Sequence, residues 1–66
     1  MLVRLNGVHV DVTPGATLDL VVATITARTD GVAAALDDEV IPRSQWAITI
    51  LHEGARVEVL TAVQGG

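Results

Sequence analysis

Two runs of alternating apolar residues meet at Asn6-Gly7 in the stretch LVRLNGVHVDV. Val3 and Leu5 alternate with Arg4 and Asn6, and Val8, Val10 and Val12 alternate with His9 and Asp11. Asn-Gly accepts the positive φ angles of a two-residue type I′ turn, the turn whose twist matches the strands it joins. The pattern predicts antiparallel strands over about residues 2–6 and 8–12. The period of two turns the valine face inward and leaves His9 and Asp11 in solvent.

What can lie under that face is limited by composition. The chain has 66 residues, near the lower limit for a domain that folds without help. Cysteine is absent, so disulfides cannot staple it, and no Cys/His pattern suggests structural zinc. The core must come from aliphatic packing, and half of the residues are apolar. Phe and Tyr are absent, and Trp46 is the only aromatic residue.

Charge narrows the partners. The net charge is −4, lysine is absent, and Arg4, Arg28, Arg43 and Arg56 are scattered. Nucleic-acid binding needs clustered Lys/Arg, so it is not expected. No apolar run reaches the length of a membrane span, and MLVRLNG lacks the charged-then-apolar layout of a signal peptide. A cytoplasmic domain, monomeric when free, is the expectation. Its acidic surface suits a basic partner surface, in an association that salt weakens.

The rest of the chain reads as follows. Pro14-Gly15 marks a turn. Thr17 is placed to cap a helix, with Asp19 in the first turn where a carboxylate suits the dipole. LDLVVATITAR is ambiguous: it is rich in β-branched residues, yet Leu18, Val21, Val22 and Ile25 fall on one helical stripe. The helix reading, over about 17–28 and stopped by Asp30-Gly31, gives the more coherent face. VAAALDDEVI reads as a strand, a turn at Asp37-Asp38 and a short return strand ended by Pro42. RSQW reads as a single turn placing Trp46, and AITIL as a further short strand. After a turn at Glu53-Gly54-Ala55, RVEVLTAV alternates again, with Val57 and Val59 against Glu58 and Leu60.

The predicted order is β-β-α-β-(short β)-β. The helix provides a crossover, so the last strand pairs parallel to the first. This is an α+β chain, a mixed sheet packed on one helix: the β-grasp, or ubiquitin-like, fold. Residues 1–63 form the domain, and 64–66 are expected to be a flexible Gly-Gly tail.

Few residues suggest chemistry of their own. His9 and His52 are far apart, without further ligands at metal-site spacing, and solvent-facing roles account for them. Asp37-Asp38-Glu39 is better explained by turn formation than by a cation, which needs six or so oxygen ligands. Ser44 is the only serine, no nucleophile–base set is present, and the chain is small for an enclosed pocket. No catalysis of its own is expected. Trp46 plugs one end of a core of small side chains, and Arg43 either supports a nearby carbonyl or faces a partner. Leu2, Leu60 and Ala62 fall on the sheet face away from the helix. Strands 1 and 5 as parallel neighbours are expected to bring them together as a binding patch, although scattered surface leucines are also normal.

The chain closes on Ala62-Val63-Gln64-Gly65-Gly66. Two glycines at the last two positions arise by chance in roughly one chain in two hundred, at about 7% glycine usage. A Gly-Gly end has no side chains, so it can thread a narrow channel and deliver a bare carboxylate to an enclosed site.

Taken together, the opening strand with Asn6-Gly7, the VIPRSQW stretch (Val40 to Trp46), EGARVEVLTAV and the terminal Gly65-Gly66 resemble the ThiS-like family, the sulfur carriers of thiamine biosynthesis. The resemblance covers nearly the whole chain. The Gly-Gly end alone is shared with molybdopterin-synthase small subunits and ubiquitin-like modifiers, which are the alternative readings. A regulatory β-grasp binding module with an idle tail is the reading from a different class. Two departures stand out: Gly54-Ala55 where the family often has Gly-Asp, and Asp37 where it often has Asn.

The resemblance implies a carrier, not an enzyme. A partner using ATP and magnesium adenylates the Gly66 carboxylate. A persulfide from a donor such as a cysteine desulfurase then converts it to a thiocarboxylate, and thiazole synthase receives the sulfur. The chain itself binds no cofactor. Gln64 and Gly65 belong to the presented tail. Leu2, Leu60, Ala62 and Arg43 are the expected partner surface.

Overall fold

The computed structural model describes residues 1–28 and 30–61. Five strands form one mixed sheet: β1 (Leu2–Leu5), β2 (Val8–Asp11), β3 (Val32–Leu36), β4 (Glu39–Ile41) and β5 (Arg56–Thr61), in the order β2-β1-β5-β3-β4. A helix, α1 (Leu18–Ala23), and a 3₁₀ helix (Arg43–Ile48) cover one face. β1 and β5 are parallel, and the other pairs are antiparallel. This is the β-grasp arrangement expected from the order of elements.

The first hairpin forms as its sequence dictates. Asn6 (φ 50) and Gly7 (φ 82) take the left-handed angles of the tight turn, and Leu5 pairs with Val8. The valine face is less uniform than expected. Val3 and Leu5 are buried, Val10 and Val12 are partly buried, and Val8 is exposed. β2 is an edge strand, and Val8 sits next to the hairpin tip. The second hairpin turns on Asp37 (φ 50) and Asp38 (φ 72), with Leu36 opposite Glu39.

The helix is shorter than the sequence stripe. It ends at Ala23, well before Asp30-Gly31, which serves instead as the bend into β3. The Thr24 hydroxyl donates to the Val21 carbonyl oxygen at 2.6 Å, and the Thr24 amide bonds the same oxygen. Ile25 then bonds Val22, a tightening of the last turn from i−4 to i−3. Leu18, Val21 and Val22 are buried, but Ile25 is 40% exposed, so the stripe stops one turn early. Thr17 stands at the N-cap without capping; its hydroxyl donates to the Asp19 carboxylate.

AITIL is not a strand. Ala47 and Ile48 complete the 3₁₀ helix, which is longer than the single turn expected of RSQW. Ile50 makes one isolated bridge to Thr17. The segment crosses the start of α1, through Leu18 N–H to Thr49 and Leu51 N–H to Ala16, both at 2.9 Å, so it never reaches the sheet.

The core joins Val3 and Leu5, Leu18, Val21 and Val22, Ala34, Trp46, Leu51, Ala55, Val57 and Val59. Trp46 plugs one end, and its indole N–H donates to the Ile41 carbonyl oxygen at 2.8 Å. Ala55 is fully buried, so this departure from the family's turn is a core position and not a surface one. Among the described residues, no helix is long and apolar enough to cross a membrane.

Candidate functional site

β5 is the strand that leads toward the C-terminus, and it lies in the middle of the sheet. Its alternation places Val57 and Val59 in the core and Arg56, Glu58 and Leu60 on the open face. Gln64, Gly65, Gly66 and Ala62 lie outside the described residues, as does the expected boundary at residue 63.

The expected partner surface is divided by the register. Arg4 is level with Arg56, so Leu2 is level with Gly54, and Leu60 lies six positions further along. At the rise of a strand this separates them by about 20 Å. Both are exposed on the open face, but at opposite ends. Arg43 is on the other side of the sheet, on the 3₁₀ helix. Its guanidinium lies 5.9 Å from the Trp46 ring centroid. It borders a cavity of ≈ 290 Å³ against α1, whose apolar wall includes Val22, Ala23 and Ala47.

Leu60 has other apolar neighbours that sequence reasoning missed. It pairs with Ala33 on β3, and Ala35, two residues on, pairs with Val40 on β4. Leu60 is 69% and Val40 71% exposed. Leu60, Ala33, Ala35 and Val40 therefore form a continuous apolar strip across three strands. Counting back from the Asp37-Asp38 turn pairs Ala35 with Val40. Joining that pair to Leu60 needs the β3–β5 register, which sequence alone does not supply.

Charge collects at the other end of β5. Asp37 Oδ2 is 2.6 Å from His52 Nε2, and Arg56 Nη2 donates to Asp38 Oδ2 at 2.6 Å. The Arg56 amide bonded to Asp37, and then the His52 ring, hold the Asp37 carboxyl below the usual carboxylate range. The same contact with Asp37, followed by the Glu53 carbonyl, raises the His52 pKa. These acids are thus committed to His52 and Arg56, in keeping with their turn role. His9 is exposed on β2. Among the described residues, no group of three or more His, Asp or Glu side chains converges as a metal site.

Two hairpin turns grip β5 from opposite sides. At its start, the Asp37 amide donates to the Arg56 carbonyl oxygen at 2.8 Å, and the Arg56 amide donates to Asp37 Oδ1 at 3.0 Å. From the other side, the Asn6 amide donates to the Val57 carbonyl oxygen at 2.9 Å. The Asn6 side chain then accepts from the Val59 amide at 2.8 Å and donates to the Val59 carbonyl oxygen at 3.2 Å.

Comparison with known proteins agrees with this architecture. The model of the ThiS family matches residues 3–66. The crystal structure of a thiamine biosynthesis protein (ThiS) from Geobacter metallireducens is similar, with a TM-score of 0.80 and 28% sequence identity, covering 100% of both chains. Among curated proteins, none matches the chain.

Proposed function

The chain belongs to the ThiS family, and on that premise we propose that it is the sulfur carrier that supplies the thiazole ring of thiamine, with the Gly66 carbonyl carbon as the point of attachment. The family match, which runs through Gly66 on a chain whose fold is that of a thiamine biosynthesis protein, carries this reading.

The chemistry follows from the terminus. A carboxylate is a poor acyl donor. A partner enzyme using ATP and magnesium converts it to an acyl adenylate, releasing pyrophosphate. A persulfide from a desulfurase-type donor attacks the acyl carbon and AMP leaves. Cleavage of the S–S bond by a thiol then leaves the thiocarboxylate, whose sulfur passes to thiazole synthase. The chain has neither cysteine nor lysine, so it offers no thiol or ε-amine to compete for the activated end. It supplies presentation and no catalytic base.

The strip of Leu60, Ala33, Ala35 and Val40 is the proposed docking face. It is apolar, Leu60 and Val40 are well exposed, and Leu60 lies on the strand that leads to the tail. Leu2 and Arg43, the other described residues expected at this surface, fall outside the strip.

The test is intact mass. The pure protein is incubated with ATP, magnesium, an adenylating enzyme active on its own carrier, and a persulfide donor. Replacement of one terminal oxygen by sulfur is the expected product. An unchanged mass under those conditions excludes the carrier reading.

A further inference from the structure

We infer that Asn6 is a positioning residue for the reactive end: its side chain takes the place of a missing strand residue and holds the last part of β5 in register. The inference rests on the reading of Gly66 as the activated terminus.

The need arises from topology. β1 and β5 run parallel, and β1 leaves the ladder at Asn6 to enter its hairpin turn. β5 continues to Thr61. The backbone groups of Arg4 and Asn6 bond the Ala55 and Val57 carbonyl oxygens. Val59 is the next residue of β5 to face that side, and no β1 backbone remains to meet it. An unpaired strand amide and carbonyl are costly where water is restricted. The Asn6 carboxamide supplies one acceptor and one donor, at 2.8 and 3.2 Å, and so meets both groups of Val59. Asn is suited twice over, because it also tolerates the φ of 50° that the turn imposes.

Beyond Val59, among the described residues, the strand is held on the β3 side, by Ala33 opposite Leu60 and Val32 opposite Thr61. Among the described residues Asn6 is thus the last anchor on the β1 side, and the residue it holds, Val59, lies seven positions before Gly66. Asp37 performs the matching task at the start of β5, where its Oδ1 receives the Arg56 amide. The two turns clamp β5 from opposite sides, Asp37 at Arg56 and Asn6 as far along as Val59, so the Asn6 contact is the one nearer the terminus. A loose exit strand must be ordered each time a partner takes up the tail, which weakens productive binding and leaves the bound state's reactivity intact.

The experiment compares Asn6→Gly, Asn6→Asp and Asp37→Asn with the natural protein. Glycine keeps the turn's backbone and removes both bonds; Asp at position 6 keeps the acceptor and loses the donor; Asn at position 37 keeps the acceptor at the far clamp. Amide hydrogen exchange is followed by NMR, and ATP-dependent adenylation by pyrophosphate release against carrier concentration. In N6G the Val59, Leu60 and Thr61 amides are expected to exchange about tenfold faster relative to Ala34, the scale of a lost hydrogen bond. KM rises about five- to tenfold with kcat within about twofold. N6D is intermediate, and serves for the same comparison should the glycine variant fold poorly. D37N leaves KM within about twofold.

Uniformly faster exchange across the sheet, or local fraying with KM unchanged, overturns the proposal. If the natural protein is not adenylated at all, the carrier reading fails, and the exchange measurement still decides whether Asn6 clamps β5.

Discussion

His52 Nε2 stands 2.6 Å from Asp37 Oδ2, while its Nδ1 lies 2.9 Å from the Glu53 carbonyl oxygen. Both acceptors are satisfied only when both ring nitrogens carry protons, so the geometry selects the imidazolium. The contact ties the turn between β3 and β4 to the loop that enters β5.

A pH dependence with two limits follows. The His52 pKa is raised above 6.5, chiefly by Asp37, so its contribution is complete below 6.5 and lost as pH rises through the higher folded value. The Asp37 pKa is lowered below 3.8, chiefly by the Arg56 amide and next by His52, so its contribution is present above 3.8 and lost as pH falls through the lower folded value. Stability from this pair therefore spans the interval from below 3.8 to above 6.5. An NMR titration should show the His52 midpoint above 6.5, and Asp37→Asn should bring it down. A midpoint unmoved by that change means that the pair does not persist in solution.

Burial separates two residues that the sequence stripe treats alike. Leu18 is fully buried and Ile25 is 40% exposed. Leu18→Ala should cost about 3 kcal/mol, within the range for deleting a buried leucine. That is a large fraction of what so small a domain has. Ile25→Ala should cost about 1 kcal/mol or less. Chemical denaturation of both variants checks the ordering, and equal losses would place Ile25 in the core.

The strands were legible because their signals are local. Asn6-Gly7 sets a hairpin by itself, and alternation assigns the faces of β5 once its ends are known. The helix was legible as an element but not in length, because its end depends on the Thr24 hydroxyl taking the Val21 carbonyl oxygen. The stretch from Ala47 to Leu51 reads as a strand by propensity, and docking across α1 overrides it. The proposed docking face was the least legible part. Leu2 and Leu60 share a face by alternation, but their separation depends on the β1–β5 register, which is a non-local property. Val40 was missed for the same reason, and the Gly-Gly end needed no fold to be noticed.

The apolar strip makes a prediction in which Leu2 serves as an internal control. Leu60→Asp and Val40→Asp place a charge on the proposed docking face without entering the core. Each should weaken binding to the adenylating enzyme by about tenfold or more, while stability changes by about 0.5 kcal/mol or less. Leu2→Asp, on the same face but at the other end, should leave binding within about threefold. Calorimetric titration beside thermal melts measures both quantities. If L60D loses stability and binding in step, Leu60 is a structural residue and docking lies elsewhere.

The last prediction concerns the terminus. Adenylation needs a free carboxylate on Gly66, and a narrow channel that admits two glycines has no room for a side chain. Appending a single alanine after Gly66 removes that carboxylate from its place and adds a methyl group where none is expected. Folding should be untouched, because the last buried core residue among the described ones is Val59, and the melting temperature should match that of the natural protein. Pyrophosphate release with an active adenylating enzyme should fall to background. Appending the alanine and then removing it with a carboxypeptidase should restore activity, which separates loss of the terminus from damage to the preparation. An extended protein that is still charged at the natural rate would mean that the reactive carbon is not that of Gly66, and that the activation chemistry proposed for the tail is wrong.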